Sequence, residues 1–167
     1  MENTKNNIKA REALVAYDEL VRATGRVNAL LENQLQSFDL TMSQFRVLEE
    51  VKRHGPMNYK GLGEMLVCTG GNITHLAVNL ESRGLAITQA DTRDARKKVL
   101  HLTPEGEKLM AKIFPLRVKL VRAQMSALNS REQQTLRRLC QKLGDGDVLK
   151  FMSEITRWDV KQVEVEV

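Results

Sequence analysis

The 167-residue chain contains few of the residues from which catalytic and metal sites are built. It has 3 histidines and 2 cysteines, and the cysteines, Cys68 and Cys140, lack the CxxC spacing of redox and zinc motifs. This spacing argues against a disulfide framework and a zinc site. The sequence also lacks an H-E-x-x-H motif, a glycine-rich phosphate loop after a strand, and a recognisable order of nucleophile and base. We therefore expect a protein that is not an enzyme and that holds neither a metal nor a cofactor.

Aromatic residues and long apolar runs are scarce as well. Aromatic residues make up 4% of the chain, hydrophobic residues 42% and charged residues 28%, which is typical of a helix-rich globular protein. The first residues, MENTKNNIKARE, lack the apolar core of a secretion signal, and no stretch approaches the roughly 18 apolar residues of a membrane span. We therefore expect a cytoplasmic protein with no membrane partner. The net charge of +5 is compatible with a polyanionic partner, so the location of the basic residues matters more than the total.

Hydrophobic spacing and capping residues predict helices in the first half of the chain. From Ile8 to Phe38 apolar residues recur at steps of three and four, which predicts a long amphipathic helix. The T-x-x-Q sequence that begins at Thr41 predicts a capping box and a second helix. Asn58 and Thr69 are suitable caps for two further short helices, the second of which closes at Gly84.

Two strand-length apolar segments follow the fourth helix. Leu85–Gln89 and Lys98–Leu102 flank a polar tip and predict an antiparallel hairpin. The tip and the start of the second strand combine two acidic residues with four basic ones: Asp91, Asp94, Arg93, Arg96, Lys97 and Lys98.

The remainder of the chain is predicted to be helical. Thr103-Pro104 is a typical helix start, and Pro115 is expected to kink the helix that follows. The segment Ser130–Gln133 predicts a second capping box, and Gly144–Gly146 a break after the helix it starts. A weaker helix is expected over 148–158.

The order of these elements indicates a DNA-binding fold. Two short helices joined by a turn form a helix-turn-helix, and a hairpin directly after them makes it winged. The chain also contains the motifs LTMSQFRVLEEV at 40–51, NLESRGL at 79–85, DTRDAR at 91–96 and HLTPEG at 101–106. In order and spacing these four motifs resemble those of the multiple-antibiotic-resistance regulator (MarR) family.

The resemblance implies a mainly α fold with a small β-hairpin wing, in a single domain over 1–167. Residues 41–102 would form the winged helix-turn-helix lobe, and 8–38 and 103–167 the dimerisation helices. A homodimer of this kind would place its recognition helices in successive major grooves of a pseudo-palindromic operator on double-stranded DNA. Release by a small-molecule effector is also implied, and we expect a repressor, although the sequence alone does not distinguish repression from activation.

The start of the fourth helix carries the candidate base and phosphate contacts. Asn72 can pair with adenine, whereas capping alone would also explain Thr69 and Asn72. Many members of the family have a Ser/Pro-rich start here and an arginine at the position of His75, so the operator sequence cannot be transferred by analogy. The candidate residues are Thr69, Gly70, Gly71, Asn72, Thr74 and His75.

The hairpin tip is the second candidate DNA contact. An arginine there can enter the narrow minor groove, and lysines can neutralise phosphates; the candidates are Arg93, Arg96 and Lys97. The resemblance implies that Asp94 orients Arg96 instead of touching DNA. A solvated charged turn is the alternative interpretation of this segment.

A second group of basic residues follows the wing: Lys108, Lys112, Arg117, Lys119 and Arg122. Most are expected on solvated helix faces, and some in a hollow between the dimerisation helices and the DNA-binding lobe, where they would suit a phenolic or anionic effector. Two other functions stay open. The winged helix could bind a partner protein as an adaptor, or the regulator could sense oxidation through Cys68, which lies just before the fourth helix.

Overall fold

The computed structural model describes residues 2–91, 94 and 96–144, with side chains from residue 11 onward. The chain divides into two compact units, Met1–Gln124 and Met125–Val167. Arg93 and the helix expected over 148–158 lie outside the described residues. Of the helices that are described, none is long and apolar enough to cross a membrane. In chain order the elements are α1 (Glu2–Gln36), α2 (Met42–His54), β1 (Met57–Asn58), α3 (Tyr59–Leu66), α4 (Gly70–Ser82), β2 (Ala86–Ala90), β3 (Lys98–Leu102), α5 (Pro104–Met125) and α6 (Ser130–Gly144).

The predicted hairpin is confirmed, but it belongs to a three-stranded antiparallel sheet in the order β1-β3-β2. The strands β2 and β3 pair in the register Ile87 with His101, and the two-residue strand β1 pairs Met57 with Leu100. The sequence did not predict β1, because two residues are too few to show an alternating pattern. This strand fixes the segment before α3 to the hairpin.

The predicted caps of the short helices are confirmed. Thr41 and Gln44 form a complete capping box, with the Gln44 amide donating to Thr41 Oγ1 at 3.2 Å and the Thr41 amide donating to Gln44 Oε1 at 2.9 Å. Asn58 caps α3 by accepting from the Gly61 amide at 2.8 Å. Thr69 caps α4 in the same way.

The second predicted capping box, over Ser130–Gln133, is wrong by one residue. Asn129 is the cap of α6, since its side chain accepts from the amides of Arg131 and Glu132, while the Glu132 carboxylate accepts from the Asn129 amide at 2.8 Å. An ionised carboxylate is a stronger acceptor than the Gln133 amide. The Gln133 side chain instead donates to carbonyls that precede the helix, including that of Leu128 at 3.0 Å.

The predicted boundaries of the first helix are also corrected. The helix α1 begins at Glu2 and ends at Gln36, so Phe38 lies in the turn that follows. The helix α5 ends at Met125 and continues through Pro115. The expected kink at Pro115 stays a prediction.

Three helices of the first unit, α1, α3 and α4, end in the same hydrogen-bonded turn. In each, a residue after the helix donates its backbone amide to a carbonyl five residues earlier, and the residue before the donor adopts a left-handed backbone conformation, as in a Schellman motif. The left-handed residues are Asp39, Val67 and Gly84, with φ of +54°, +52° and +67°. The bonds run from Leu40 to Leu35, from Cys68 to Gly63 and from Leu85 to Leu80.

The buried core lies among the short helices and the sheet. It is formed by Phe45, Leu48, Leu62, Ile73, Leu80 and Leu100, with Met110 and Ile113 from α5. The first turn of α5 joins it through Gly106, because a Cβ on this residue would lie 2.0 Å from the Leu85 carbonyl oxygen. Thr103 reinforces the junction by donating to the Gly84 carbonyl at 2.6 Å. The LTPEG sequence therefore fixes α5 against the end of α4.

Candidate nucleic-acid interface and effector cavity

One face of the helix α4 is fixed in the core. Its residues Ile73, Leu76, Ala77 and Leu80 are buried. Two polar contacts add to this packing. Asn79 accepts a hydrogen bond from the buried side chain of Gln44 at 2.5 Å, and Glu81 accepts from the Thr88 amide of β2 at 2.5 Å. The position of α4 is therefore set by both α2 and the sheet.

The N-terminal turn of α4 is exposed. Thr69 accepts from the Asn72 amide at 3.4 Å, and the Thr74 hydroxyl donates to the Gly70 carbonyl at 3.0 Å. The exposed side chains of Asn72 and His75 have no hydrogen-bond partner among the described residues. Their donors are therefore available to a ligand.

Gly70 and Gly71 are not required by the packing of the chain. A Cβ at either position would meet nothing within 4 Å. Two glycines in the first turn of a helix lower its stability by roughly 1 kcal/mol each relative to alanine. They leave the backbone of this turn open to close approach by a ligand.

The wing tip is organised around Asp94. Its carboxylate accepts from the Arg96 backbone amide at 3.2 Å and from Arg96 Nε at 3.1 Å, and Lys97 Nζ lies 3.8 Å from its other oxygen. The side-chain and backbone hydrogen bonds from Arg96 hold the pKa of Asp94 below its usual value. The Arg96 side chain remains 91% exposed. Asp94 thus orients an arginine that faces solvent.

An open concavity of about 810 Å³ lies between α3 and the start of α4. It includes Tyr59 and Lys60, which the sequence patterns above did not indicate. The Tyr59 hydroxyl is 2.8 Å from Thr88 Oγ1, so the start of α3 is tied to the sheet. A lysine in the first turn of a capped helix beside the predicted recognition helix was the signal that could have identified Lys60.

A separate cavity of about 90 Å³ is enclosed by α1, α2 and α5. Leu31, Phe45 and Leu120 contribute apolar walls, and Arg46, Glu49 and Arg117 contribute charge. Of the five basic residues that follow the wing, Arg117 lines this cavity, whereas the other four are exposed on α5.

Arg117 is held at the cavity wall by two contacts. It forms an ion pair with Glu49, whose side chain is 9% exposed, and its guanidinium lies 5.6 Å from the centre of the Phe45 ring. Burial, and then the charge of Arg46, lower the pKa of Arg117. Its buried Nε has no hydrogen-bond partner among the described residues. The lining of the cavity thus includes two arginines and one glutamate.

Metal ligands are not assembled around either site. Within the described residues no group of three or more His, Cys, Asp or Glu side chains could hold a metal ion. Cys68 is half-buried beside α4, and its Sγ donates to the Leu66 carbonyl at 3.4 Å.

The capped helix pair, the exposed turn of α4 and the sheet with its charged tip define a winged helix-turn-helix protein. Comparison with known proteins identifies the family. Residues 40–98 match the model of the MarR family. An HTH-type transcriptional regulator of Bacillus cereus (strain ATCC 14579) is 30% identical over 125 residues, which cover 74% of this chain and 83% of the relative. The HTH-type transcriptional regulator YkoM of Bacillus subtilis (strain 168) is 27% identical over 139 residues, with coverage of 83% and 90%.

A solved structure is also similar. BpsR of Bordetella bronchiseptica, whose DNA binding is regulated by 6-hydroxynicotinic acid, is 25% identical with a TM-score of 0.71, over 78% of this chain and 93% of BpsR. The chain belongs to the MarR family and is a DNA-binding transcriptional regulator, not an enzyme.

Proposed function

We propose that the protein is a homodimeric repressor that binds a pseudo-palindromic operator and is released from it by a small aromatic anion. The proposal rests on the contrast between the buried face of α4 and its exposed first turn. One face is fixed by buried residues and by Gln44, while the first turn presents unpaired polar side chains to solvent. A rigid helix with free donors at its N-terminal turn is suited to the major groove.

Asn72 and His75 are the proposed base-reading residues. Thr74 is not among them, because its hydroxyl proton is already donated to the Gly70 carbonyl within α4. A phosphate oxygen can only accept a hydrogen bond, so Thr74 has no proton left to donate to it. The Asn72 amide can donate to and accept from an adenine edge. Thr69 and Thr74 then mainly stabilise the turn, and Gly70 and Gly71 let the backbone approach the DNA.

Arg96 and Lys97 are the proposed wing contacts, together with Arg93. Asp94 takes up Arg96 Nε and leaves the forked end of the guanidinium for the minor groove or for phosphates. Lys60 is a further candidate phosphate contact because its side chain is 88% exposed beside the concavity at α4.

Residues 41–102 would then be the DNA-binding lobe, and 8–38 and 103–167 the dimerisation helices. The exposed apolar residues of α1 support this division, since Leu14 is 64% and Val21 50% exposed. Leu136, Leu139 and Leu143 are also exposed on α6. Exposed apolar residues on a helix are typical of a site of subunit association.

The cavity beside Arg117 is the proposed effector site. Its volume of about 90 Å³ is far below that of a drug-sized pocket, which begins at roughly 300 Å³, so it favours a single-ring molecule. Phe45 and Leu120 suit the ring, and the positive charges of Arg46 and Arg117 suit a carboxylate. The regulation of BpsR by an aromatic acid supports the same class of effector.

Selection of duplexes from a random DNA pool by the purified protein tests the proposal. We expect two half-sites about one helical turn apart, a binding constant that falls with salt, and release by a single-ring aromatic acid. Equal binding to selected and random duplexes would contradict the proposed recognition of an operator. It would favour the alternative in which the winged helix binds a partner protein as an adaptor. Weaker operator binding after peroxide treatment, abolished in Cys68→Ser, would support redox sensing instead.

A further inference from the structure

Arg83 connects the end of α4 to the end of α1. This half-buried residue caps α4 at its C-terminus. Its Nη1 donates to the Asp39 carbonyl at 2.5 Å, and its Nη2 donates to the Phe38 carbonyl at 3.1 Å. Asp39 and Phe38 precede Arg83 by 44 and 45 positions in the chain. One guanidinium fork thus bridges two helix ends.

The two helix ends have matching turns. The segments 37–40, Ser-Phe-Asp-Leu, and 82–85, Ser-Arg-Gly-Leu, each place a left-handed residue third and a buried leucine fourth. Both turns are closed by backbone hydrogen bonds, which hold their geometry independently of Arg83. The guanidinium therefore joins two rigid turns.

The electrostatics favour the arginine at this position. The last turn of α1 contains no basic residue. Carbonyl groups at a helix C-terminus carry partial negative charge and favour a cation. Arg83 supplies that charge from another helix, and its planar fork can bond both carbonyls at once, which a lysine ammonium cannot do as rigidly.

We infer that Arg83 is a positioning residue that sets the separation of the two recognition helices in the dimer. This inference rests on the proposed function, in which α1 forms the subunit interface and α4 enters the major groove. Because Arg83 ties one to the other, it transmits the geometry of the interface to α4. Each terminal nitrogen of its guanidinium donates a hydrogen bond within the protein, which assigns Arg83 a positioning role and not a DNA contact in this inference.

The test measures spacing preference. Operators are made with the selected half-sites and with one base pair added or removed between them, and their binding is compared for wild type, Arg83→Ala and Arg83→Lys. We expect both variants to bind the natural spacing about tenfold more weakly. We also expect the ratio of the affinities for natural and altered spacing to fall about fivefold. The salt slope and the binding of random duplex should stay at wild-type values.

Asp39→Gly is the matched control. Glycine accepts the left-handed conformation of this position and leaves both acceptor carbonyls in place, so its spacing preference should equal that of wild type. Arg83→Lys keeps the charge and maintains a folded comparison if the alanine variant unfolds, which circular dichroism will show.

Wild-type spacing preference in a folded Arg83→Lys would overturn the inference. A salt slope that is shallower for Arg83→Ala, by about 0.9 for each phosphate no longer neutralised, would also overturn it by placing Arg83 on the DNA backbone. Failure of the wild-type protein to prefer any operator is a different result, since it overturns the proposed function before any variant is compared.

Discussion

The segment from α2 to β3 and the part of α1 that precedes Leu31 use their apolar residues in opposite ways, whereas Leu35 at the end of α1 belongs to the core. In the first, Leu62, Ile73 and Leu100 are completely buried in one core. On α1, Leu14 and Val21 are at least half exposed, although they follow the same helical spacing. The hydrophobic effect disfavours such exposure by about 25 cal/mol per Å² of apolar surface. The contrast indicates that the lobe is stabilised within one chain and that α1 requires another surface.

The largest expected effect is the loss of stability when a core leucine is replaced. Leu62→Ala leaves a cavity where the side chain is fully buried, so the free energy of unfolding should fall by about 2–5 kcal/mol. Leu14→Ala removes the same atoms from an exposed position and should change the stability of the lobe much less. Urea denaturation of both variants at one protein concentration measures the difference. Equal decreases would show that α1 and the lobe form one core within the chain.

Two negative charges on α1 should break the proposed subunit interface and leave the lobe folded. Leu14→Glu combined with Val21→Glu should weaken dimerisation at least about a hundredfold, because each burial is worth roughly 1.5 kcal/mol or more. Ile87→Glu on β2 is the control, since Ile87 is also an exposed apolar residue but lies in the lobe. Sedimentation equilibrium measures the dimer dissociation constant of the α1 double variant and of the Ile87 variant. Dissociation by the Ile87 variant alone would place the interface on the sheet.

These contrasts also show what the sequence could and could not predict. Thr41 and Gln44 are three residues apart, so their capping box depends on local chemistry and was predicted correctly. At α6 two overlapping boxes were possible, and residue types alone did not distinguish Ser130 from Asn129. The strand β1 depends on pairing with a distant strand, which two residues cannot indicate.

The candidate sites were predictable to a similar degree. The exposed start of α4 follows from a cap and a helical period, both of which are local. The free Nε of Arg117 depends on packing between α2 and α5, and the hydrogen bonds of Arg83 join segments far apart in the chain. Such long-range interactions leave no period or motif in one sequence.

Within the DNA-binding lobe, α4 and the wing should respond differently to substitution. Asn72→Ala should remove about 1–3 kcal/mol of discrimination at one base pair of each half-site, with little change in salt slope. Arg96→Ala should weaken binding to operator and random DNA alike and lower the slope by about 0.9 for each phosphate that the arginine neutralises in the wild type. Asp94→Ala should resemble it in milder form. Filter binding over a salt series separates these effects. If Arg96→Ala keeps the wild-type salt slope and DNA affinity, the wing does not contact the DNA.

The effector cavity should show a smaller effect. Arg117→Lys keeps the charge opposite Glu49 but removes the planar fork and its stacking on Phe45, so half-release from operator should need about tenfold more aromatic acid. Arg122→Lys changes an exposed arginine of the same helix and is the control. Competition titration by fluorescence anisotropy gives both values. Equal responses in the two variants would exclude Arg117 from effector binding.

The smallest expected effect concerns pH. Because hydrogen bonds from Arg96 lower the pKa of Asp94, its contribution to wing stability is fully present above the unfolded value near 3.8 and disappears as the pH falls through the lower folded value. Wing geometry should therefore be constant between about pH 5 and 8. In Arg96→Ala the pKa of Asp94 should rise toward 3.8, as followed by carboxyl NMR. No rise would mean that Arg96 does not bond Asp94 in solution.

The central claim is that the apolar face of α1 is covered by a second copy of the chain. Sedimentation velocity of the wild-type protein across a concentration series, from well below to well above about 1 µM, tests this claim most directly. We expect a species of twice the 19.0 kDa chain mass throughout the micromolar range. A well-folded monomer at micromolar concentration would contradict it.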